Sequence, residues 1–229
     1  MGISKQLTEV RVVQSPSISS WYPQLLFVIL LVSGCMAPAP GVSSRDEMGT
    51  TQGSQEQILR GRLLILTRGC GDCHGGGPNP AAKGWLAGMR TAEDEFTIGP
   101  FKTRPRNLTP DNATGLGRFS ERQIFNSMRF GLRPGETPDV EITSAIPGQG
   151  NFPQNPKYLA PPMPWPAFRH IPDADLWAMV AYLKHAVKPV SNRVADSEGP
   201  PDFWASAYTP DKIGPYPARP FPTDNERIR

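Results

Sequence analysis

The protein has 229 residues, a net charge of +3 and 20% charged residues, which leaves room for one domain with terminal extensions or for two small domains. This balanced charge gives no indication of a nucleic acid or another polyanionic partner. The three cysteines are too few for a disulfide-stapled scaffold, and the 27 prolines and 22 glycines predict long loops with little regular sheet.

The amino-terminal residues 1–34 start with a polar, weakly basic segment and continue with eight apolar residues, 25–32. A basic start followed by a short apolar run and small residues is typical of an export signal, and the run is far shorter than the roughly 20 residues that span a bilayer. Its ending, Val32-Ser33-Gly34-Cys35, resembles a bacterial lipoprotein signal. The resemblance implies that Cys35 is lipidated and anchors the protein at the periplasmic side of a bacterial membrane. An ordinary cleaved signal with an incidental cysteine, or an uncleaved interfacial segment, is the alternative.

A flexible tether is predicted for residues 35–53, which are rich in Ala, Pro, Gly and Ser and have no periodicity. Ser54-Gln55-Glu56-Gln57 fits a capping box that opens a helix reaching about Arg68. Gly61 inside this helix costs about 1 kcal/mol relative to Ala, so we expect another helix to approach closely there. The predicted apolar stripe of the helix consists of Ile58, Leu59, Leu63, Ile65 and Leu66.

The segment Cys70-Gly71-Asp72-Cys73-His74 has the C-x-x-C-H pattern of c-type haem attachment. Two thiols three residues apart lie on one turn and can reach both vinyl groups on one edge of a porphyrin, while the next residue offers an imidazole to the iron. A zinc site would need a fourth ligand, which His170 or His185 would have to supply. A thioredoxin-like redox pair would adjoin a βαβ pattern, and no such strands are predicted nearby. The motif therefore predicts one covalently attached haem c with its iron.

A basic segment containing Arg104, Arg106 and Asn107 lies between this motif and the second predicted helix. Haem propionates are anions, and buried anions need hydrogen-bond donors. These three side chains are therefore candidate propionate contacts, with a solvated basic loop as the alternative.

A second helix is predicted to open at Ser120, because Ser120-Glu121-Arg122-Gln123 fits a capping box, and to stop at Gly131. Its inward side chains are Ile124, Phe125 and Met128. Residues 134–157 form an insertion rich in Pro, Gly, Gln and Asn that gives no clear helix and no functional prediction.

Met163 lies in the segment Leu159-Ala160-Pro161-Pro162-Met163-Pro164-Trp165-Pro166. Prolines on both sides fix the backbone and exclude a helix, and a stiff extended loop is suited to hold a thioether as an axial ligand. Electron carriers often close the sixth position of haem iron with methionine, which raises the reduction potential. His170 and His185 are rival ligands, and an incidental methionine in a surface loop is the remaining alternative.

A third helix is predicted from Asp173, after Pro172, to Pro189. Its apolar face consists of Leu176, Val180, Leu183 and Val187. Three helices and the absence of any long alternating strand predict an all-α domain over residues 54–189 with the haem in the middle of its core. The proline-rich extension 190–229 is expected to lie on the domain surface or to reach a partner.

Taken together, residues 54–194 resemble the monohaem class I cytochrome c family, especially periplasmic cytochromes of the type attached to dehydrogenases. The resemblance implies that Cys70 and Cys73 form the haem thioethers, that His74 is the proximal and Met163 the distal iron ligand, and that the first and last helices meet near Gly61. Besides the haem motif and Pro161-Pro162-Met163-Pro164-Trp165, the matching segments are Arg60-Gly61-Arg62, Arg106–Asp111, Thr114–Gly117 with Phe119-Ser120, Arg129-Phe130-Gly131, Asp173–Leu176 and Ala181–Lys184.

An iron held by two protein ligands changes oxidation state without binding a substrate. We therefore expect a one-electron carrier, not an enzyme, that accepts electrons from a dehydrogenase or another donor and passes them to a respiratory acceptor such as an oxidase or a second cytochrome. Two alternatives remain open. The first alternative is that the chain is the haem c subunit of a multi-subunit dehydrogenase. The second is that it is a haem peroxidase or gas sensor with a displaceable sixth ligand.

Overall fold

The computed structural model describes residues 53–200 and 202–228, which belong to one compact unit. The predictions for residues 1–52, including the signal peptide, nearly all of the tether and the lipidation of Cys35, lie outside the described residues. Within the described part of the chain, no helix is both long enough and apolar enough to cross a membrane. Its helices are α1 (Gln55–Thr67), α2 (Cys70–His74), α3 (Glu121–Phe130), α4 (Trp165–Phe168), α5 (Asp173–Ala181) and α6 (Pro210–Ile213), with 3₁₀ turns at Ala92–Asp94, Leu116–Arg118, Pro134–Glu136 and Ala205–Ala207.

Helix α1 begins where the sequence predicts, because the Ser54 hydroxyl accepts a hydrogen bond from the Gln57 amide at 3.2 Å. Its predicted apolar stripe is partly wrong. Leu59 and Leu63 are 57% and 50% exposed, whereas Leu64 and Ile65 are buried. The buried face is therefore rotated away from Leu59 and Leu63, because the helix turns Gly61 toward its neighbour.

Helix α1 packs most extensively against α5. Arg60 joins the two helices through a bidentate ion pair with Asp175, at 2.8 and 2.7 Å. The predicted inner face of the third helix is confirmed for Leu176, Val180 and Leu183, all at most 2% exposed. Its last turn, Tyr182–Ala186, is a π-helix rather than a continuation of the α-helix.

Both predicted ends of α3 are confirmed. Ser120 and Gln123 form the reciprocal capping box, and Gly131 ends the helix in the left-handed conformation, with φ +68°. Lys184, in the π-helical turn, donates to the carbonyl oxygens of Gly117 and Phe119 at 3.0 and 2.7 Å. These hydrogen bonds connect the loop before α3 to the π-helical turn that follows α5.

The expectation of an all-α domain needs one correction. Strands β1 (Phe96–Ile98) and β2 (Phe101–Thr103) form an antiparallel hairpin, and Lys102 pairs in turn with Glu198 near the carboxyl end of the chain. Three-residue strands are too short for an alternation of apolar and polar residues to reveal them. Helices nevertheless supply most of the core.

The principal apolar core lies between α1, α3 and α5 and extends to the loops around α2 and α4. A second, smaller cluster forms beneath the 134–157 insertion, where Phe130 and Leu132 pack with Ile142 and Phe152. The insertion is therefore folded against the body, although its regular structure is limited to the 3₁₀ turn Pro134–Glu136.

The carboxyl-terminal extension also contacts the body. Trp204 is buried and packs edge-on against Phe101 of β2, with ring centroids 4.8 Å apart. Tyr208 packs against Trp165 in the same manner at 4.8 Å. The extension thus covers both the hairpin and the loop that carries Met163.

Candidate haem site

The single-turn helix α2 places the two cysteines and the histidine of the attachment motif together. Gly69 precedes it in the left-handed conformation, with φ +65°. Cys70 is half-buried and Cys73 is exposed, and both thiols are free. A side chain at position 71 would not fit, because a β-carbon there would lie 2.1 Å from the carbonyl oxygen of Gly77. The following loop therefore folds directly back onto the turn.

The imidazole of His74 is oriented by a backbone carbonyl. Its Nδ1 atom lies 2.7 Å from the carbonyl oxygen of Arg106. Because a carbonyl oxygen can only accept, Nδ1 carries the proton, and Nε2 of the neutral ring keeps a free lone pair. Burial lowers the pKa of His74, an effect that the Arg106 carbonyl opposes. A neutral ring with a fixed tautomer is the form that ligates a metal ion.

The thiol of Cys70 is not an activated thiolate. Burial is the main cause that raises its pKa to about 11. Redox-active C-x-x-C pairs have thiols whose pKa is lowered by nearby positive charge or a helix terminus. Cys70 therefore lacks the lowered pKa of an activated thiol.

Backbone hydrogen bonds connect His74 and Gly75 to the loop formed by residues 86–89. The Gly88 amide donates to the carbonyl oxygen of His74 at 2.8 Å, and the Leu86 amide donates to that of Gly75 at 2.9 Å. Leu86 in turn accepts from the Leu108 amide at 2.8 Å. Loop 86–89 is thus held between the haem motif and the segment that contains Arg106.

Trp85 is a residue of the site that the sequence analysis does not single out. It packs beside Gly76, two residues after His74, since a β-carbon at Gly76 would lie 3.1 Å from the Trp85 Cα. Trp85 is buried, yet its indole N–H has no acceptor among the described residues. The indole N–H groups of Trp165 and Trp204 also lack an acceptor among the described residues. An acceptor oxygen of a bound group such as a haem propionate would satisfy that of Trp85. The residues present therefore fit a haem beside α2.

Met163 lies in a tight turn, in which its amide donates to the carbonyl oxygen of Ala160 at 3.0 Å. It is half-buried and packs against the same apolar core as Cys70. Trp165, two residues later, is fully buried. Gly131 provides the room for its ring, because a β-carbon there would lie 2.1 Å from the indole. The loop is therefore anchored beside the thioether.

Of the two rival histidines, His185 has a carboxylate partner and His170 is exposed. Nε2 of His185 lies 2.6 Å from a carboxylate oxygen of Glu121, at the start of α3. His170 is exposed and lines a cavity of about 360 Å³ formed with the carboxyl-terminal residues Pro210, Asp211 and Arg219. Among the side chains that the structure describes, no group of three or more His, Cys, Asp and Glu residues could hold a metal ion.

The three candidate propionate donors bind protein acceptors. Arg104 pairs with Glu95 and Glu198. Arg106 binds the carbonyl oxygen of Val194 and a carboxylate oxygen of Asp196, at 3.1 and 3.2 Å. The amide nitrogen of Asn107, a residue only 2% exposed, donates to the carbonyl oxygen of Val190 and the hydroxyl of Thr114, at 2.8 and 3.0 Å. All three side chains thus hold neighbouring segments of the chain.

Comparison with known proteins reveals distant relatives, whereas no family model matches the chain. The chain is 26% identical over 192 residues to the gluconate 2-dehydrogenase cytochrome c subunit of Pantoea cypripedii, covering 79% of this chain and 36% of that protein. It is 28% identical over 145 residues to the cytochrome c subunit of the quinone-type alcohol dehydrogenase of Gluconobacter oxydans, covering 62% and 24%. It is 25% identical over 133 residues to the fructose dehydrogenase cytochrome subunit of Gluconobacter japonicus, covering 58% and 22%.

All three of these relatives are, by name, cytochrome subunits of dehydrogenases. They support the resemblance to cytochromes c that the haem motif suggests. The chain spans about a third of the length of the gluconate dehydrogenase protein and about a quarter of the other two. The similarity therefore concerns one part of each of these larger proteins.

Proposed function

We propose that this protein is a monohaem c-type cytochrome that transfers single electrons. The observation that carries the proposal is the geometry of α2, which brings Cys70, Cys73 and His74 onto one turn while the carbonyl oxygen of Arg106 holds the imidazole at 2.7 Å. Cys70 and Cys73 form the thioether bonds to the porphyrin, and His74 binds the iron through Nε2. The named cytochrome subunits among the relatives support the same conclusion.

Met163 is the proposed sixth ligand. The turn from Ala160 to Met163 and the buried ring of Trp165 hold its loop against the core that also contains Cys70. The hydrogen bond between His185 and Glu121 and the position of His170 beside the carboxyl-terminal segment favour Met163 over both histidines. A methionine opposite a histidine raises the reduction potential of haem iron and closes the iron to substrates.

When bound, the haem supplies an iron that cycles between Fe(III) and Fe(II) by the gain and loss of one electron. The protein's own residues prevent substrate binding and proton transfer from accompanying that electron exchange. His74 and Met163 would hold the iron when haem is bound, and the neutral tautomer of His74 neither releases nor takes up a proton at Nδ1 while the Arg106 carbonyl binds it. The indole N–H of Trp85, buried and without an acceptor among the described residues, is the proposed donor to a propionate.

The named relatives favour a place within a dehydrogenase complex over a freely diffusing carrier. In that arrangement a catalytic subunit oxidises its substrate and passes electrons one at a time to this chain, which delivers them to a respiratory acceptor. Cys73 is exposed, so a haem attached to it would have an edge accessible to a redox partner. The chain itself carries out no catalysis.

The proposed location is the periplasmic side of a bacterial membrane, with a lipid on Cys35 as the anchor. This proposal depends on residues 1–35 of the sequence alone. Anchoring raises the effective concentration of the cytochrome near membrane-bound donors and acceptors.

The decisive experiment is purification of the full-length protein from a host that matures c-type cytochromes. We expect a reduced spectrum of low-spin haem, a pyridine haemochrome with both thioether bonds, and haem that stays with the protein in acidified acetone. The Cys73→Ala variant, which keeps Cys70 and His74, should give the shifted haemochrome of a single thioether. A colourless protein, or haem that acid acetone removes, would overturn the proposal.

Two further measurements on the same preparation separate the possible roles. Reduced protein that does not bind carbon monoxide supports an electron carrier with a closed iron, whereas rapid binding indicates a peroxidase or gas sensor. Co-purification of a flavin- or quinone-dependent dehydrogenase from native membranes supports the subunit role, and purification of the cytochrome alone favours a free carrier.

A further inference from the structure

The carbonyl that orients His74 belongs to a segment that makes several tertiary hydrogen bonds. Residues 104–109, here termed the carbonyl segment, contain Thr109, which is fully buried, and Asn107, which is only 2% exposed. The side chain of Asn107 accepts from both the amide and the hydroxyl of Thr109, at 2.9 and 2.7 Å. The segment is therefore internally braced next to Arg106.

Residues 190–198, here termed the strap, form hydrogen bonds with the carbonyl segment. Val190 accepts from Asn107 at 2.8 Å, and its own amide donates to the Thr109 hydroxyl at 3.1 Å. Farther along, Asp196 and Val194 bind the guanidinium of Arg106. The strap thus contacts Arg106 and the residues that follow it.

Asn192 of the strap also reaches the loop between the haem motif and the carbonyl segment. Its side-chain amide donates to the carbonyl oxygens of Ala87 and Met89, at 2.7 and 3.2 Å. The Met89 amide donates in turn to the carbonyl oxygen of Pro105 at 2.9 Å. Asn192 therefore fixes loop 86–89, which lies against both His74 and the carbonyl segment.

The hydroxyl group of Thr114 connects the strap with the carbonyl segment. The hydroxyl of Thr114 accepts from the side chain of Asn107 and from the amide of Asn192, each at 3.0 Å, and donates to Asp111 at 2.7 Å. The space between the parts is filled, because a β-carbon at Gly88 would lie 2.8 Å from Val194 and 2.9 Å from the carbonyl carbon of Arg106. Gly88, Val194 of the strap and the backbone of Arg106 are therefore closely packed.

We infer that the strap, acting through Asn192, Asn107 and Thr114, is a positioning element that holds the Arg106 carbonyl against His74 and thereby tunes the reduction potential of the iron. The inference rests on the proposed function and assigns a role to the carboxyl-terminal extension. A strong hydrogen bond at Nδ1 makes an imidazole a better electron donor and stabilises the oxidised metal. Loosening the strap should therefore raise the reduction potential.

The test compares four variants of the full-length haem protein. Asn192→Ala removes the contacts to loop 86–89, and the nearly isosteric Thr114→Val removes the shared hydroxyl. Thr114→Ser keeps that hydroxyl, and Ser191→Ala alters the exposed neighbour of Asn192. For each, the midpoint potential is measured by redox titration, and the exchange of the His74 Nδ1 proton with deuterium is followed by NMR in the reduced protein.

We expect Asn192→Ala and Thr114→Val to shift the potential upward and to accelerate the exchange roughly tenfold or more, since local opening governs exchange. Thr114→Ser and Ser191→Ala should match the wild type in both measurements. If Asn192→Ala does not fold, Thr114→Val with its serine control decides the question alone.

The possible failures are distinguishable. Wild-type protein without low-spin haem overturns the proposed function and this inference together. Wild-type protein with haem, but with unchanged potential and exchange in folded Asn192→Ala and Thr114→Val, overturns the inference alone. An unchanged potential in variants that are merely less stable assigns the strap a structural role only and also contradicts the inference.

Discussion

Gly61 in α1 and Ala178 in α5 are in direct backbone contact. A β-carbon at Gly61 would lie 1.9 Å from the carbonyl oxygen of Ala178 and 2.9 Å from the β-carbon of Tyr182. The first and last helices of the core can approach this closely only where the side chain is a hydrogen atom. The propensity cost of glycine in α1 is therefore offset by packing of the two helices.

The Gly61→Ala variant should lower the free energy of unfolding by about 2 kcal/mol, since overpacking against backbone outweighs the gain of about 1 kcal/mol in helix propensity. Denaturant unfolding of the haem-loaded protein measures the loss. Gly135→Ala is the matched control, because nothing lies within 4 Å of a β-carbon at Gly135. A Gly61→Ala protein as stable as the control would contradict the close helix contact.

The ion pair between Arg60 and Asp175 should stabilise the same helix contact in a pH-dependent way. The hydrogen bond from Arg60 is the main cause that holds the pKa of Asp175 below its ordinary value of 3.8. A carboxyl whose pKa is lowered on folding stabilises the protein fully above its unfolded pKa of about 4. That contribution is lost as the pH falls through the lower pKa of the folded state.

A double-mutant cycle of Arg60→Gln and Asp175→Asn measures this coupling by denaturant unfolding at pH 7 and at pH values below about 4, the unfolded pKa of an aspartate. We expect a small favourable coupling at pH 7, well below the effect of Gly61→Ala, because the Arg60 side chain is 50% exposed. The coupling should shrink as the pH falls. A coupling energy that grows in acid would show that the ion pair between Arg60 and Asp175 does not cause the pH-dependent stabilisation.

Replacement of Met163 tests its proposed role as the sixth ligand of the iron. Met163→Ala should lower the reduction potential, abolish the weak methionine charge-transfer band of the oxidised spectrum and let the reduced protein bind carbon monoxide. Met179→Leu, a change of similar volume at a fully buried position of α5, controls for general loosening of the core. Retention of the wild-type spectrum in Met163→Ala would remove this residue from the iron.

The anchor prediction concerns residues outside the described structure. Cys35→Ser should release the protein from membranes into the soluble periplasmic fraction, because the proposed acylation site is lost. Cell fractionation with immunodetection measures the distribution, and Ser43→Ala in the tether serves as the control. Membrane association that survives Cys35→Ser would mean that another part of the chain or a partner holds it.

Several features follow from the sequence because their causes are local. Ser54 and Ser120 start helices by bonding amides three residues ahead, and Gly131 ends α3 because only glycine adopts its backbone conformation freely. The one-turn spacing of Cys70, Cys73 and His74 is equally local. Each of these features depends on interactions within a few residues, so a short stretch of sequence specifies it.

Other features could not be read from the sequence. The exposure of Leu59 and Leu63 depends on which face of α1 meets α5, and the hairpin of Phe96–Ile98 and Phe101–Thr103 is too short to leave a periodic pattern. The charge of the Arg106 side chain suggests a propionate contact. In the structure, its backbone carbonyl contacts His74, and a carbonyl has no residue-specific signature.

Short-range chemistry thus identifies the residues that can bind a haem, through the fixed spacing of thiols and imidazole, and it sets the ends of the helices. The orientation of His74 depends instead on the folded core, because the contacts between residues 104–109 and 190–198 join segments about 80 residues apart in the chain. Such contacts form only when the whole core has closed, and their energies depend on geometry that no local pattern encodes.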